Sequence, residues 1–191
     1  IEEIKVFEKA DDKISEAKFF LLLLATFDRD IRWHLIVGND RPEILEKLLF
    51  DKNTLPGFND SGAHLINLAF FDGNLLTLQI AQKDSLKKVS LAVKRLTSEP
   101  ADFFGIDVGT LDIGAQADIT IIDPEELKKY DSIGNRKKVF RPVFGSEQLV
   151  NRSDDVVKHV FINGKEVWSK NSPSHELGKI RIGRHLTSLR Q

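Results

Sequence analysis

The stretch Asn59-Asp60-Ser61-Gly62-Ala63-His64 places a carboxylate, a hydroxyl and an imidazole next to one another in a polar, glycine-containing loop. A carboxylate at such a point can take a proton from a water molecule and pass it to a leaving group. An imidazole nearby can contact a substrate or ligate a metal ion. Ser61 lacks the G-x-S-x-G setting of a nucleophile elbow, which makes it a loop hydroxyl with at most a substrate-binding role. Plainer roles stand beside these. Asn-Asp-Ser-Gly is turn-forming chemistry in any protein, and a loop histidine such as His64 serves as readily in capping or packing.

The other histidines are His34, His159, His175 and His185, and no two of the five form an H-x-H pair. There is no cysteine, which excludes disulfide staples and thiolate zinc sites and leaves His and carboxylates as the only metal ligands. Asp60 with one or two histidines falls short of the three protein ligands that a zinc centre usually needs. Lys plus Arg number 28 against 29 for Asp plus Glu, so no field of one sign exists to hold nucleic acid or an anionic membrane. The longest apolar run, Phe19 to Phe27, is less than half of the ~20 residues that span a bilayer, and is expected to be a buried helix. The start of the chain shows no signal-peptide pattern, the composition, 41% hydrophobic and 30% charged, is that of a globular protein, and the absence of cysteine makes a cytoplasmic location the expectation.

The elements that must position these residues fall into two halves. Ser15 to Asp30 has the length and apolar content of a helix, and Arg32 to Gly38 those of a buried strand ending at glycine. Pro42 opens a short helix to Phe50 with Asp40 as its expected N-cap. Asn53 to Phe58 is a short extended segment leading to the Asp60 loop. A long helix capped by Asp84 or Ser85 follows, with Leu86, Val89, Val93 and Leu96 on its inner stripe and Lys87, Lys88, Lys94 and Arg95 off it. Repeated strand-helix units predict a parallel sheet or (β/α) barrel with its working loops at the strands' C-terminal ends. From Gly105 onward turn signals crowd together and the chain is mostly β. Ala117 to Ile122 is a strand, and Val156 to Ile162 and Lys165 to Trp168 flank Asn163-Gly164, a strong signal for a type I′ hairpin.

Leu96-Thr97-Ser98-Glu99-Pro100-Ala101, then Phe104-Gly105-Ile106, Gly109-Thr110-Leu111, Ile113-Gly114-Ala115-Gln116-Ala117-Asp118 and Asp123-Pro124, resemble the metal-dependent amidohydrolase superfamily. The hairpin Val160 to Trp168 is similar to that family's closing V-x-V-N-G-x-x-V element. Leu177-Gly178-Lys179 and Gly183-Arg184-His185-Leu186 resemble the tail of the N-acyl-D-amino-acid deacylase (D-aminoacylase-like) branch. Leu55 to His64 is similar to the segment where the eighth barrel strand ends in the catalytic aspartate.

The resemblance implies the C-terminal part of a (β/α)8 TIM barrel over residues 1–100, handing over to strands of a small β-sandwich over 101–191. It implies that Asp60 is the catalytic carboxylate and a metal ligand, with His64 and Ser61 near the substrate. It also implies zinc or another divalent metal as cofactor, most of whose ligands are not in this chain. The expectation is therefore of a segment of a protein about three times this length, since a closed barrel needs eight strand-helix units. Its expected partners are a small-molecule N-acyl substrate, the N-terminal remainder of the same protein and a homo-oligomer mate, with neither nucleic acid nor membrane. The activity implied is hydrolysis of a C–N amide bond, of an N-acyl-D-amino acid first of all. Two alternatives stand beside it: another superfamily chemistry such as cyclic-amide opening or deamination, and a non-catalytic binding or oligomerisation module that retains part of the fold.

Overall fold

A computed structural model describes residues 14–31, 40–57, 72–151 and 154–189. The chain divides into two compact units, Ile1–Asp40 and Arg41–Gln191. In the first unit, Ser15 accepts a hydrogen bond from the Lys18 amide at 3.3 Å and so caps helix α1, Glu16–Phe27, which runs on into a 3-10 turn over Asp28–Asp30. The predicted helix is there, but it is not buried. Leu21 is 63% exposed, and Phe20 and Leu22 are about equally open to solvent at 39% and 40%. An apolar run states a preference for burial, whereas burial itself takes a facing surface, and that is set by tertiary structure.

Helices dominate the first part of the second unit. Helix α2, Pro42–Phe50, begins with proline at its first position, where the missing N–H costs nothing. Arg41, not Asp40, occupies its N-cap, with no side-chain capping bond. Helix α3, Gly73–Gln82, was not expected from the sequence; it buries Leu75, Thr77, Leu78 and Ala81 on one face. Helix α4, Leu86–Leu96, is capped by Ser85, whose hydroxyl accepts from the Lys88 amide at 3.3 Å. Its buried face is turned from the predicted stripe. Leu86 and Val93 are exposed, and the buried residues are Ala92 and Arg95. Helix α5, Ser98–Phe104, ends on Gly105 in the left-handed conformation, φ 65°, with the Ile106 amide bonded back to the Ala101 carbonyl at 2.9 Å. The expected strand Arg32–Gly38 lies outside the described residues. The described part of Asn53–Phe58 is a turn at Lys52-Asn53 followed by irregular chain to Gly57.

The β half forms two antiparallel sheets. Strands β1 (Ile119–Ile122), β4 (Val157–Ile162), β5 (Lys165–Ser169) and β6 (Ser172–Pro173) pair in the order β1-β4-β5-β6, and β2 (Arg136–Arg141) pairs with β3 (Ser146–Asn151). Asn163 and Gly164 have φ of 51° and 75°, the paired positive values that a type I′ hairpin requires. Between β1 and β2 the short helix α6, Pro124–Lys129, starts at Asp123, whose carboxylate accepts from the amides of Glu125 and Glu126 at 2.9 and 3.1 Å. Those two amides, with the Lys158 ammonium adding to them, hold the Asp123 carboxyl below the usual carboxylate range.

One core joins both kinds of structure. Leu75, Leu78 and Ala81 of α3, Ala92 of α4, Leu127 of α6, Tyr130 and Val156 pack together, with Phe50, Leu96 and Ile122 against them. The recognised sequence pieces interlock around it. The Gly164 amide donates to the Ala117 carbonyl at 2.8 Å and the Asn163 amide to the Asp118 carboxylate at 2.7 Å, so the A-D and N-G pairs are two halves of one contact. Gly109, φ 87°, lies so close to the start of α5 that a Cβ there would sit 2.8 Å from the Thr97 carbonyl carbon. The tail returns to the same corner, with the Leu189 amide 2.7 Å from the Gly105 carbonyl and Arg184 bonded to the Asp107 carbonyl at 3.2 Å.

Candidate functional site

Asp60, Ser61, His64 and His34 lie outside the described residues. The described structure holds the chain that leads to Asp60 and the chain that resumes after it, and each end is fastened by a buried side chain.

On the leading side the fastening is Arg95, 2% exposed. Its Nη2 donates to the Thr54 carbonyl at 2.6 Å and lies 3.2 Å from Thr54 Oγ1; its Nη1 donates to Glu99 at 3.1 Å and its Nε to the Leu49 carbonyl. A guanidinium taken out of water without partners costs several kcal/mol. Here its planar fork is matched by two main-chain carbonyls and a carboxylate, a geometry that a lysine could not satisfy. Thr54 is fastened a second time: its hydroxyl donates to the Leu48 carbonyl at 2.6 Å, and the neighbouring Asn53 amide donates to the Asp51 carboxylate at 2.7 Å. Sequence reasoning missed Arg95 because hydrophobicity puts it on the solvent side of its helix. The available signal was the spacing of Ala92, Arg95 and Leu96 with Glu99 four residues after Arg95, an ion-pair spacing that in the structure crosses from α4 to the start of α5.

On the far side Asp72 accepts a hydrogen bond from the Tyr130 hydroxyl at 2.9 Å. Burial pushes the Tyr130 phenol up to about 12, and the negative charge of Asp72 pushes in the same direction. Gln79 anchors α3 to the same place by donating to the carbonyls of Leu127 and Tyr130, both at 2.9 Å, and Gln82 donates to the Pro124 carbonyl at 2.7 Å. Asn151 at the end of β3 donates to the Ser132 carbonyl and hydroxyl, both at 3.1 Å. Asp72, where the described chain resumes, is thus tied to Tyr130 at the end of α6, and the segment after it holds β3 through Ser132.

The described histidines are not drawn together. His159 on β4 faces Glu166 of β5 at 2.6 Å and stacks on Phe161, and this contact lowers the Glu166 carboxyl below its ordinary range. His175 lies against Lys179 at 2.8 Å in the tail, and His185 is exposed. Among the described residues no group of His, Asp and Glu could hold a metal ion. A shallow concavity of about 350 Å³ lies against β4 and β5, lined by Val157, Val160, Ile162, Val167, Trp168 and Leu177. Its lining is mainly apolar, with Asn151 and Asp154 the polar residues among the described lining. It has the character of a packing surface and lacks the converging polar groups of a catalytic pocket.

The model of the amidohydrolase family matches residues 54–167, a span that opens at Thr54 and closes at Val167 in the N-G hairpin. The chain belongs to the amidohydrolase family. Membership implies a TIM-barrel-related fold, and the described residues form helices and antiparallel sheets. An uncharacterized protein of Mycobacterium tuberculosis (strain ATCC 25618 / H37Rv) is 36% identical over 156 residues, covering 78% of this chain and 25% of its own length. A dihydroorotase of Syntrophotalea carbinolica is 36% identical over 78 residues, 41% of this chain and 18% of its own. An N-acyl-D-glutamate deacylase of Alcaligenes xylosoxydans xylosoxydans is 31% identical over 96 residues, 50% of this chain and 17% of its own. The chain therefore spans about a quarter of the mycobacterial relative and less of the other two. No solved structure matches it significantly. Among the described residues no helix is long and apolar enough to cross a membrane.

Proposed function

We propose that this amidohydrolase-family chain is the C-terminal part of a hydrolase acting on a C–N amide bond, an N-acyl-D-amino acid being the substrate class favoured. The observation that carries this reading is the family match beginning at Thr54, which takes in Asp60 and the T-x-x-P-A to D-P series. The likeness to a protein named N-acyl-D-glutamate deacylase supports the substrate class. In this reading residues 1–100 belong to the barrel and 101–191 to the sandwich, and the N-terminal remainder of the polypeptide completes the site.

Asp60 is assigned the proton work: its carboxylate takes a proton from the attacking water and delivers it to the departing nitrogen, so that an amine leaves instead of an amide anion. His64 and Ser61 are assigned to the substrate. The family generally relies on divalent metals, and zinc or a similar ion would make the attacking water acidic. The described residues by themselves do not fit such an ion, so the role assigned to Asp60 is that of its carboxylate alone. A second reading, cyclic-amide opening, draws on the stretch shared with the dihydroorotase.

The test is hydrolysis of N-acetyl-D-glutamate, N-acetyl-D-leucine and dihydroorotate by the intact protein and by its Asp60→Asn variant. Loss of a proton-transfer group is expected to lower kcat by about 10²- to 10⁴-fold with the fold intact. An Asp60→Asn protein that keeps full activity rules out the assigned role. Turnover of dihydroorotate alone selects the second reading.

A further inference from the structure

We infer that Asn163-Gly164 is a deamidation site that the fold keeps closed: the Gly164 nitrogen, the nucleophile of that reaction, is held as a donor to the chain entering β1 by a contact that Asp118 latches. Neither the site nor its latch depends on the activity assigned to Asp60.

Asparagine followed by glycine occurs once in the chain, at the tip of the β4-β5 hairpin, and both residues are exposed. Such a pair reacts with itself, because glycine has no Cβ to shield its nitrogen or restrict its torsions. The Gly164 nitrogen attacks the side-chain amide carbon of Asn163 and a C–N bond forms. The side-chain nitrogen then leaves as ammonia, taking the proton that Gly164 gives up. The resulting five-membered imide takes up one water and opens at one carbonyl to aspartate, at the other to isoaspartate. No enzyme, metal or oxidant takes part.

Ring closure needs a Gly164 N–H that is not otherwise engaged and an Asn163 backbone that can rotate toward it. The fold opposes both. The Gly164 amide donates to the Ala117 carbonyl at 2.8 Å. Asn163 is held by its own amide, which donates to Asp118 Oδ1 at 2.7 Å across 45 residues of sequence. Asp118 is itself oriented, since its Oδ2 accepts from the Gln116 side chain at 2.5 Å and its amide donates to the Gln116 carbonyl at 3.0 Å. Ile162 pairs with Lys165 on either side of the turn, which confines Asn163 and Gly164 to their φ of 51° and 75°. A labile pair on the surface is thus kept unreactive by residues that folding brings to it.

The closure runs one way. Aspartate at 163 sets a second negative charge beside the Asp118 carboxylate, and isoaspartate adds a methylene to the main chain of a turn that fits β4 and β5 only as two ordinary residues. Either product weakens the contact with Ala117 and Asp118, so an opening long enough for reaction leaves a hairpin that closes less well.

The experiment follows Asn163 by peptide mass mapping of the intact protein, folded and in urea, in one mildly alkaline buffer, with hydrogen exchange of the Gly164 peptide measured alongside. The unfolded protein is expected to deamidate at Asn163 and the folded protein to do so slower by about 100-fold or more, since reaction requires local opening of the hairpin. Asp118→Ala is expected to speed the folded-state reaction by about 10- to 100-fold, the weight of a hydrogen bond to a charged acceptor. Gly164 exchange is expected to rise by a similar factor, because one opening admits both reactions. Asp118→Asn keeps an acceptor without the charge and is expected to fall between the two. It stands in if a melting curve shows that Asp118→Ala does not fold, and an unchanged rate for it then counts against the latch. A folded wild type that deamidates at Asn163 as fast as the unfolded protein, or an unfolded protein that does not react there, overturns the inference. A folded Asp118→Ala protein with the wild-type deamidation rate, whatever its Gly164 exchange, overturns the role of Asp118.

Discussion

Tyr130 shows how a single residue reports the fold around it. It is the one tyrosine of the chain, buried, with its hydroxyl on Asp72. A phenol raised from about 10 to about 12 by burial and by a neighbouring carboxylate is stabilised in its neutral form. Its contribution to stability is fully present below the unfolded value near 10 and is lost as pH rises through about 12. Ultraviolet titration of the folded chain is expected to show phenolate appearing around pH 12 and, after unfolding, around pH 10. Tyr130→Phe is expected to cost about 1–2 kcal/mol in urea unfolding, because the Asp72 carboxylate loses a buried donor, and to flatten the alkaline loss of stability. A folded-state midpoint near 10 would contradict the buried Asp72 contact.

Among the elements, the recognised motif is explained by contacts that its spacing does not display. Gly105 ends α5 in the left-handed conformation, and Gly109 passes so close to Thr97 that no side chain fits. Gly114 has a similar φ of 90° but open space around it. The two glycines therefore separate conformational strain from steric exclusion. Gly114→Ala is expected to cost about 1 kcal/mol, from the positive φ alone. Gly109→Ala is expected to cost about 2–4 kcal/mol, since the α5 start must also shift. Equal losses in a denaturant series would mean that the close approach at Thr97 carries no weight. The helices themselves were partly legible. A cap at Asp84 or Ser85, of which the structure uses Ser85, and Pro42 as a first-turn residue followed from local chemistry, whereas α3 was missed: its buried face includes Thr77, which satisfies its hydroxyl on the Gly73 carbonyl at 2.7 Å and so passes as polar in the sequence.

At the scale of the whole molecule, one core unites α2, α3, α4, α6 and β1 within the Arg41–Gln191 unit. The described histidines are spread over β4 and the tail, each with its own neighbours or exposed to solvent, and the sequence contains no H-x-H pair. Elemental analysis after dialysis is accordingly expected to find less than about 0.1 equivalent of zinc on this chain and at least one on the intact protein. A full equivalent on the chain alone would show that a metal site forms without upstream ligands.

Local chemistry decided much about this protein without help from packing. Positive-φ demand at Asn163-Gly164 and the turn-rich second half depend only on a few neighbouring residues, and the ordered T-x-x-P-A to D-P series was enough to suggest the amidohydrolase family; Asp123-Pro124 read only as a turn, and the helix it opens was not expected. Which face of α4 turns inward was another matter. Hydrophobicity alone sorts Leu86 and Val93 inward and Arg95 outward, but a buried guanidinium is stable wherever carbonyls and a carboxylate converge on it, and that convergence of Leu49, Thr54 and Glu99 exists only once the helices have packed.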